Sequence, residues 1–337
     1  MMGISRRTFI VSSLLSTTQS WAGMRYPAIL SCAKNGKDHL VVALNDDGRC
    51  EWTFLLPGRG HGLAVRDDMA IVVGRRPSDW ALILDRASGE LRSVIPPPDG
   101  MTFTGHVVCH HSLCFLGCQA NQGSMGYILK IDHVGGVEAI FPSGGVEPHE
   151  LVIDDKGIFV ANGGRITDPD LPRVVLNPNT LVSNLSRVRI GDGKLQDVIP
   201  LPDNLSLRHL AVSRHGLAGA CQWSGVPQQS PPLLWWLKGS RLMPLGPPDG
   251  VSAVSVNAYL GSVAWWGENI IATAPRGNQY WVINPSTNFA RRFEQVDVCG
   301  VSVRKGRLWI SSGEGMIGRP EALMDTRWTF DNHFVGA

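Results

Sequence analysis

Three histidines stand at matching places in repeated segments of the chain: Gly60-His61-Gly62-Leu63-Ala64-Val65, Gly105-His106-Val107-Val108 and Pro148-His149-Glu150-Leu151-Val152. A fourth segment, Leu207-Arg208-His209-Leu210-Ala211-Val212, carries arginine there. Imidazole is a common ligand for copper, zinc or iron. Guanidinium binds carboxylate or phosphate through paired hydrogen bonds. Brought together, these side chains would hold a transition metal, a small anion, or an anionic metal chelate. What matters is whether the fold brings them together.

Two further segments share the pattern, Leu260-Gly261-Ser262-Val263-Ala264 and Val298-Cys299-Gly300-Val301-Ser302-Val303. Each of the six has an apolar run, a tight turn and a second apolar run: Ala70–Gly74, Leu113–Gln119, Ile158–Asn162, Leu217–Gln222, Ile270–Ala274 and Leu308–Ser312. From His61 through His106, His149, Arg208 and Gly261 to Cys299 the steps are 45, 43, 59, 53 and 38 residues. A period of about 40–50 residues with about four short strands per unit marks propeller blades. The loop from Gly163 to Thr180, rich in Pro, Asn and Asp, explains the longest step. Residues 28–56 read as three strands, and Thr326–Val335 reads as a strand that closes the ring from the other end of the chain. The expected fold is therefore all-β: a β-propeller of seven four-stranded blades, with six or eight left open by the terminal units. Stacked β-sandwiches fit a single recurring unit less well.

In a propeller the first strand of each blade lines the channel and the second runs back along it. Starts of first strands and ends of second strands then share one channel mouth. This predicts a ligand site of His61, His106, His149 and Arg208, with Arg76 (or Arg75), Gln119, Asn162, Gln222 and Arg276 from strand ends. Glu150 and His209 fall one residue later, directed in or away. His61, His106 and His149 are the expected metal ligands. Carboxylates are few, which favours an anion or an anionic chelate over a bare hard cation. The competing use is structural: polar residues at blade starts also lock neighbouring blades together.

The bulk numbers agree with a compact globular protein. Hydrophobic residues make up 43% and charged residues 18% of the 337, as in globular domains. The net charge is +2, and without residues 1–22 it is zero, which gives no general pull toward nucleic acid or anionic lipid. After the N-terminus no apolar run approaches the ~20 residues of a membrane span. Ser5-Arg6-Arg7-Thr8-Phe9-Ile10, the apolar run to Leu15 and Ser20-Trp21-Ala22 read as a twin-arginine signal over 1–22. A periplasmic propeller over 23–337 follows. The seven cysteines have no framework spacing, and folding in a reducing compartment leaves them no need to pair. Cys114 and Cys118 are four apart, ~13 Å along a strand, too far for one ion. No Cys-x-x-Cys-His offers covalent haem, and no glycine loop cradles a nucleotide. Trp235-Trp236 and Trp265-Trp266 fit packing between blades.

The ordered set Arg59-Gly60-His61-Gly62, Glu147-Pro148-His149-Glu150-Leu151, Ala161-Asn162-Gly163-Gly164, Leu207-Arg208-His209-Leu210-Ala211-Val212, Pro275-Arg276-Gly277, Asp297-Val298-Cys299-Gly300 and Asp331-Asn332-His333 resembles the domain-of-unknown-function 1513 family. The resemblance spans nearly the whole mature chain. It implies a twin-arginine-exported propeller without established activity. It also implies service beside imelysin-type proteins and a di-haem, peroxidase-like oxidoreductase in periplasmic iron or other metal acquisition. The turn His110-His111-Ser112 departs from the family's pattern. Three functions stay open: a non-catalytic binding propeller, a metal-dependent enzyme using the three histidines with Glu150 or Arg208, and a scaffold.

Overall fold

The computed structural model describes residues 26–121, 125–167 and 174–336. The proposed signal, residues 1–22, lies outside them. Seven four-stranded antiparallel sheets follow one another along the chain. The first blade holds β1 (Ile29–Asn35), β2 (Asp38–Leu44) and β3 (Cys50–Leu55). The second runs β4 (Gly60–Arg66), β5 (Met69–Gly74), β6 (Ala81–Asp85) and β7 (Leu91–Ile95). The third is β8 (Met101–His110), β9 (Leu113–Ala120), β10 (Gly126–Ile131) and β11 (Val137–Pro142). The fourth is β12 (Pro148–Asp154), β13 (Gly157–Asn162), β14 (Asn184–Val188) and β15 (Leu195–Pro200). β16 (Leu205–Ser213), β17 (Gly216–Trp223), β18 (Leu234–Lys238) and β19 (Arg241–Leu245) form the fifth. β20 (Ser262–Trp266), β21 (Asn269–Ala274), β22 (Gln279–Asn284) and β23 (Phe289–Glu294) form the sixth. The seventh holds β24 (Val298–Arg304), β25 (Arg307–Ser312), β26 (Met316–Arg319) and β27 (Ala322–Asp325). β28 (Thr329–Gly336) returns to pair with β1 as the innermost strand of the first blade. The ring is closed as the repeat predicts: the inner strands β28, β4, β8, β12, β16, β20 and β24 each touch the next, and β24 touches β28.

Burial follows from the strand pattern. Inner and second strands are apolar on both faces, as in MAIVVG of β5, because blades cover both sides. Fourth strands alternate, as in CEWTFL of β3, because one face meets water. Apolar clusters sit between blades, and tryptophans staple them: Trp265 of β20 donates to the Ala211 carbonyl of β16 at 3.0 Å. Trp266 reaches the Gly306 carbonyl of the next blade at 3.0 Å while 38% exposed. Among the described residues no helix is long and apolar enough to cross a membrane.

The expectation of unpaired cysteines is corrected at one place. Cys109 and Cys114 face each other across the β8–β9 hairpin and form a disulfide. Five residues apart in sequence, they become cross-strand partners because the turn at His111-Ser112 folds the chain back on itself. Cys32, Cys118, Cys221 and Cys299 are buried free thiols, and Cys50 is exposed.

Candidate functional site

Six of the seven inner strands break register near their start. The break skips His149 in β12, Arg208 in β16 and Cys299 in β24. It skips His61-Gly62 in β4, Thr104 to His106 in β8 and Asp331 to His333 in β28. A bulge leaves its extra residue out of the ladder and re-aims the side chain. The element behind the site is thus a recurring bulge at the place where the sequence repeat puts its polar residue. β20 alone pairs with its neighbour without a break.

The bulges and the residues beside them bring five imidazoles together. Ring centroids run 4.7 Å from His61 to His106, 4.6 Å to His149, 5.2 Å to His209, 4.7 Å to His333 and 4.8 Å back to His61. Ligand nitrogens of His61, His106 and His333 lie within 4.8 Å of one another, as do those of His106, His149 and His209. Glu150 forms a third such group with His209 and His333. Its Oε2 accepts from the Leu210 amide at 2.9 Å and lies 3.2 Å from His209 Nδ1. Gly105, at φ +104, lets β8 pass the His61 ring, since a Cβ there would sit 2.9 Å from its Cδ2. A tetrahedral metal with 2.0–2.1 Å bonds needs ligand nitrogens about 3.3 Å apart, so the rings need to close by at most about 1.5 Å.

The electrostatics favour ligands over charges. Burial pushes all five imidazoles below their ordinary range; at His149 and His209 Arg208 adds to it, and at His61 Asp331 opposes it. Neutral imidazole is the metal-binding form. Buried His106 Nε2, His333 Nε2 and His61 Nδ1 have no hydrogen-bond partner; the last lies 3.5 Å from Asp331 Oδ1. Burial raises the Glu150 carboxyl.

Arginines collect around Glu147 at the same mouth. Glu147 has φ +57, a left-handed backbone rare for a long side chain, and its carboxylate is fully buried. Arg208 Nη1 donates to its Oε1 at 2.6 Å, Arg76 Nε lies 2.7 Å from the same oxygen, and the Arg165 amide donates to Oε2 at 3.1 Å. Burial alone would raise Glu147, but Arg208, Arg76 and Arg165 together hold it below its ordinary range. Gly163 is needed there, because a Cβ would stand 2.7 Å from Arg208 Nη1. Arg208 Nη2 meets His149 Nδ1 at 2.9 Å, which joins the arginines to the imidazoles. On the other side Arg59 Nε donates to Asp331 Oδ2 at 2.6 Å. A cleft of about 610 Å³ opens beside the ring, lined in part by Arg59, Arg75, Arg76 and Asp331.

The predicted residues therefore divide. His61, His106, His149 and Glu150 meet in the imidazole cluster, and His209 turns inward with them. Arg76 and Arg208 gather on Glu147. Gln222 accepts from Arg165 Nη2 at 3.0 Å, and Arg276 lies over the Tyr259 ring at 4.2 Å. Gln119 is buried at the end of β9. Asn162 is instead turned into its own blade, where its amide meets Ser143, Asn184 and Ser186. His333, Glu147, Asp331 and Arg165 complete the site and were not among the predicted ligands. Three of the four belong to the quoted motifs Glu147-Pro148-His149 and Asp331-Asn332-His333, which was the available signal.

Solved structures share the fold at low identity. Hydrazine synthase of Kuenenia stuttgartiensis aligns with TM-score 0.60 and 10% identity over 93% of this chain and 99% of that chain. BamB from Moraxella catarrhalis aligns with TM-score 0.55 and 13% identity over 90% and 80%. The computationally designed Ika8 protein aligns with TM-score 0.55 and 11% identity over 92% and 86%. At such identity these likenesses show the fold alone. No curated protein matches the chain. The family model described as "Protein of unknown function (DUF1513)" matches residues 54–337, and the chain belongs to that family.

Proposed function

We propose that this protein is a non-catalytic binding propeller that holds a transition-metal ion at the imidazole ring in its channel. The observation that carries the reading is the convergence of five histidines from five inner strands, with adjacent centroids 4.6–5.2 Å apart. Their neutral state and the unpartnered nitrogens of His106 and His333 support a ligand role over a locking role. A buried polar atom without a partner is costly unless something meets it. We also propose export by the twin-arginine route and service in periplasmic metal acquisition beside imelysin-like and di-haem peroxidase-like proteins.

Metal-stripped protein should take up about one equivalent of Co²⁺ or Zn²⁺. The Co²⁺ form should show the visible bands of a low-coordinate nitrogen site. Replacing His106 and His333 together with alanine should weaken the affinity at least about a hundredfold. Retention of less than about a tenth of an equivalent of Zn²⁺, Cu²⁺ or Co²⁺ by the wild type would end this reading.

A further inference from the structure

The guanidinium groups of Arg76 and Arg208 hold one carboxylate, and the guanidinium of Arg165, bonded to Gln222, lies near enough to act on both electrostatically. Among the described residues Glu147 is the acid at this place: it pairs with Arg76 at 2.7 Å and Arg208 at 2.6 Å, and accepts from the Arg165 amide at 3.1 Å. Two positive charges are left over in a buried place. Each guanidinium also keeps a buried nitrogen without a hydrogen-bond partner: Arg76 Nη1, Arg165 Nε and Arg208 Nε. Burial and mutual repulsion draw Arg76 down to about 9 and Arg165 down to about 10. Arginine is nonetheless among the hardest side chains to deprotonate. Unpaired guanidinium charge away from water is strongly unfavourable, and a counter-anion relieves it.

Of the three arginines, Arg76 opens to the cleft beside the ring. Arg76 lines it together with Arg75, which is exposed and, among the described residues, has no ion pair or hydrogen bond from its side chain. Lys34 and Arg59 add positive charge to its walls, and Asp79 and Asp331 are its acids. Asp331 is already engaged by Arg59 at 2.6 Å. A small anion entering there meets Arg75 before Arg76.

We propose that Arg76, Arg165 and Arg208 form a binding site for a small oxoanion, a carboxylate or a phosphate, reached through the cleft lined by Arg75. The site stands on its own residues, whether or not the imidazole ring takes a metal.

Calorimetry and thermal unfolding of the metal-stripped protein test it, with inorganic phosphate and tricarballylate as probes and chloride at matched ionic strength as reference. Either probe should bind and raise the melting temperature above the chloride reference; which one does so assigns phosphate or carboxylate. Arg165→Gln should weaken that binding at least about tenfold. Arg75→Ala, which removes no internal bond, should slow or weaken it while leaving the melting temperature without anion unchanged. Glu147→Gln separates a ligand role from a structural one. It removes the competing carboxylate, so it should lower the stability without anion and strengthen the response to the effective probe. A merely structural trio would lose stability that no anion restores. No binding heat and no shift with either probe in the wild type would overturn the proposal, as would an Arg165→Gln protein that binds like the wild type.

Discussion

An imidazole taken out of water loses the hydration that stabilises its charged form, and five of them within one contact shell lose more. His61, His106, His149, His209 and His333 are all held below the ordinary imidazole range, with burial the largest cause in each. The consequence for stability has a definite sign. A histidine depressed in the folded state binds fewer protons there than in the unfolded chain at the same pH. Its contribution is complete above the unfolded value of about 6.5 and is lost as pH falls toward the folded value. Metal-free protein should therefore lose stability steeply below about pH 6.5, by up to about 1.4 kcal/mol per pH unit for each imidazole involved. Glu150, raised by burial, works in the opposite direction at lower pH and blunts part of the loss. Denaturant midpoints between pH 8 and 5 measure the slope. His106→Gln should flatten it, and a wild-type slope no steeper than that variant's would show that these imidazoles are not kept neutral by the fold.

At the scale of strands, the site depends on bulges and on the residues that permit them. Gly105 at φ +104 tolerates no side chain without strain, and a Cβ there would press on the His61 ring. Gly105→Ala should cost about 1–3 kcal/mol and disturb Co²⁺ binding together with stability. A variant that keeps wild-type stability would remove the bulge from the account. The same elements explain what the sequence revealed. His61, His106 and His149 were legible because each precedes or opens the apolar run of its repeat. His333 was not aligned with them, because the second strand that pairs with β28 is β1, at the other end of the chain, so no contiguous repeat contains it. Glu147 lies before its strand, and its partners Arg208 and Arg76 are remote in sequence. Asn162 shows what a repeat leaves open: the end of a strand fixes which mouth a residue is near, not which way its side chain turns. The blade count and ring closure were legible because a period survives changes in loop length. The hairpin disulfide was concealed because spacing along the chain says nothing of pairing across a turn.

For the whole molecule, the closing strand has two tasks, since β28 completes the first blade and also carries His333 to the other four histidines. Trp328, Phe330 and Phe334 are buried in the cluster that includes β1 and the last blade. Each buried aromatic contributes about 2–3 kcal/mol on burial, before the ladder to β1 is counted. Deleting residues 329–337 should abolish a cooperative unfolding transition, because β1 would gain an open edge and β24 and β4 would lose the strand between them. Such a loss by itself does not distinguish a closed ring from a merely destabilised chain. A circular permutant does. Ile29 pairs with Gly336, so the two ends of the first blade lie about 5 Å apart and a short glycine-serine linker can join Gly336 to Tyr26. New ends fit between Asp249 and Gly250, an exposed turn after β19. If closure rather than chain order holds the ring, the permutant should unfold cooperatively within about 4 °C of the wild type, since one altered turn is worth about 1 kcal/mol. It should also bind Co²⁺ with the same spectrum, because every ligand keeps its blade. A deletion variant that remains monomeric and cooperative, or a permutant that folds but loses the cobalt bands, would contradict the dependence of the site on a ring closed by β28.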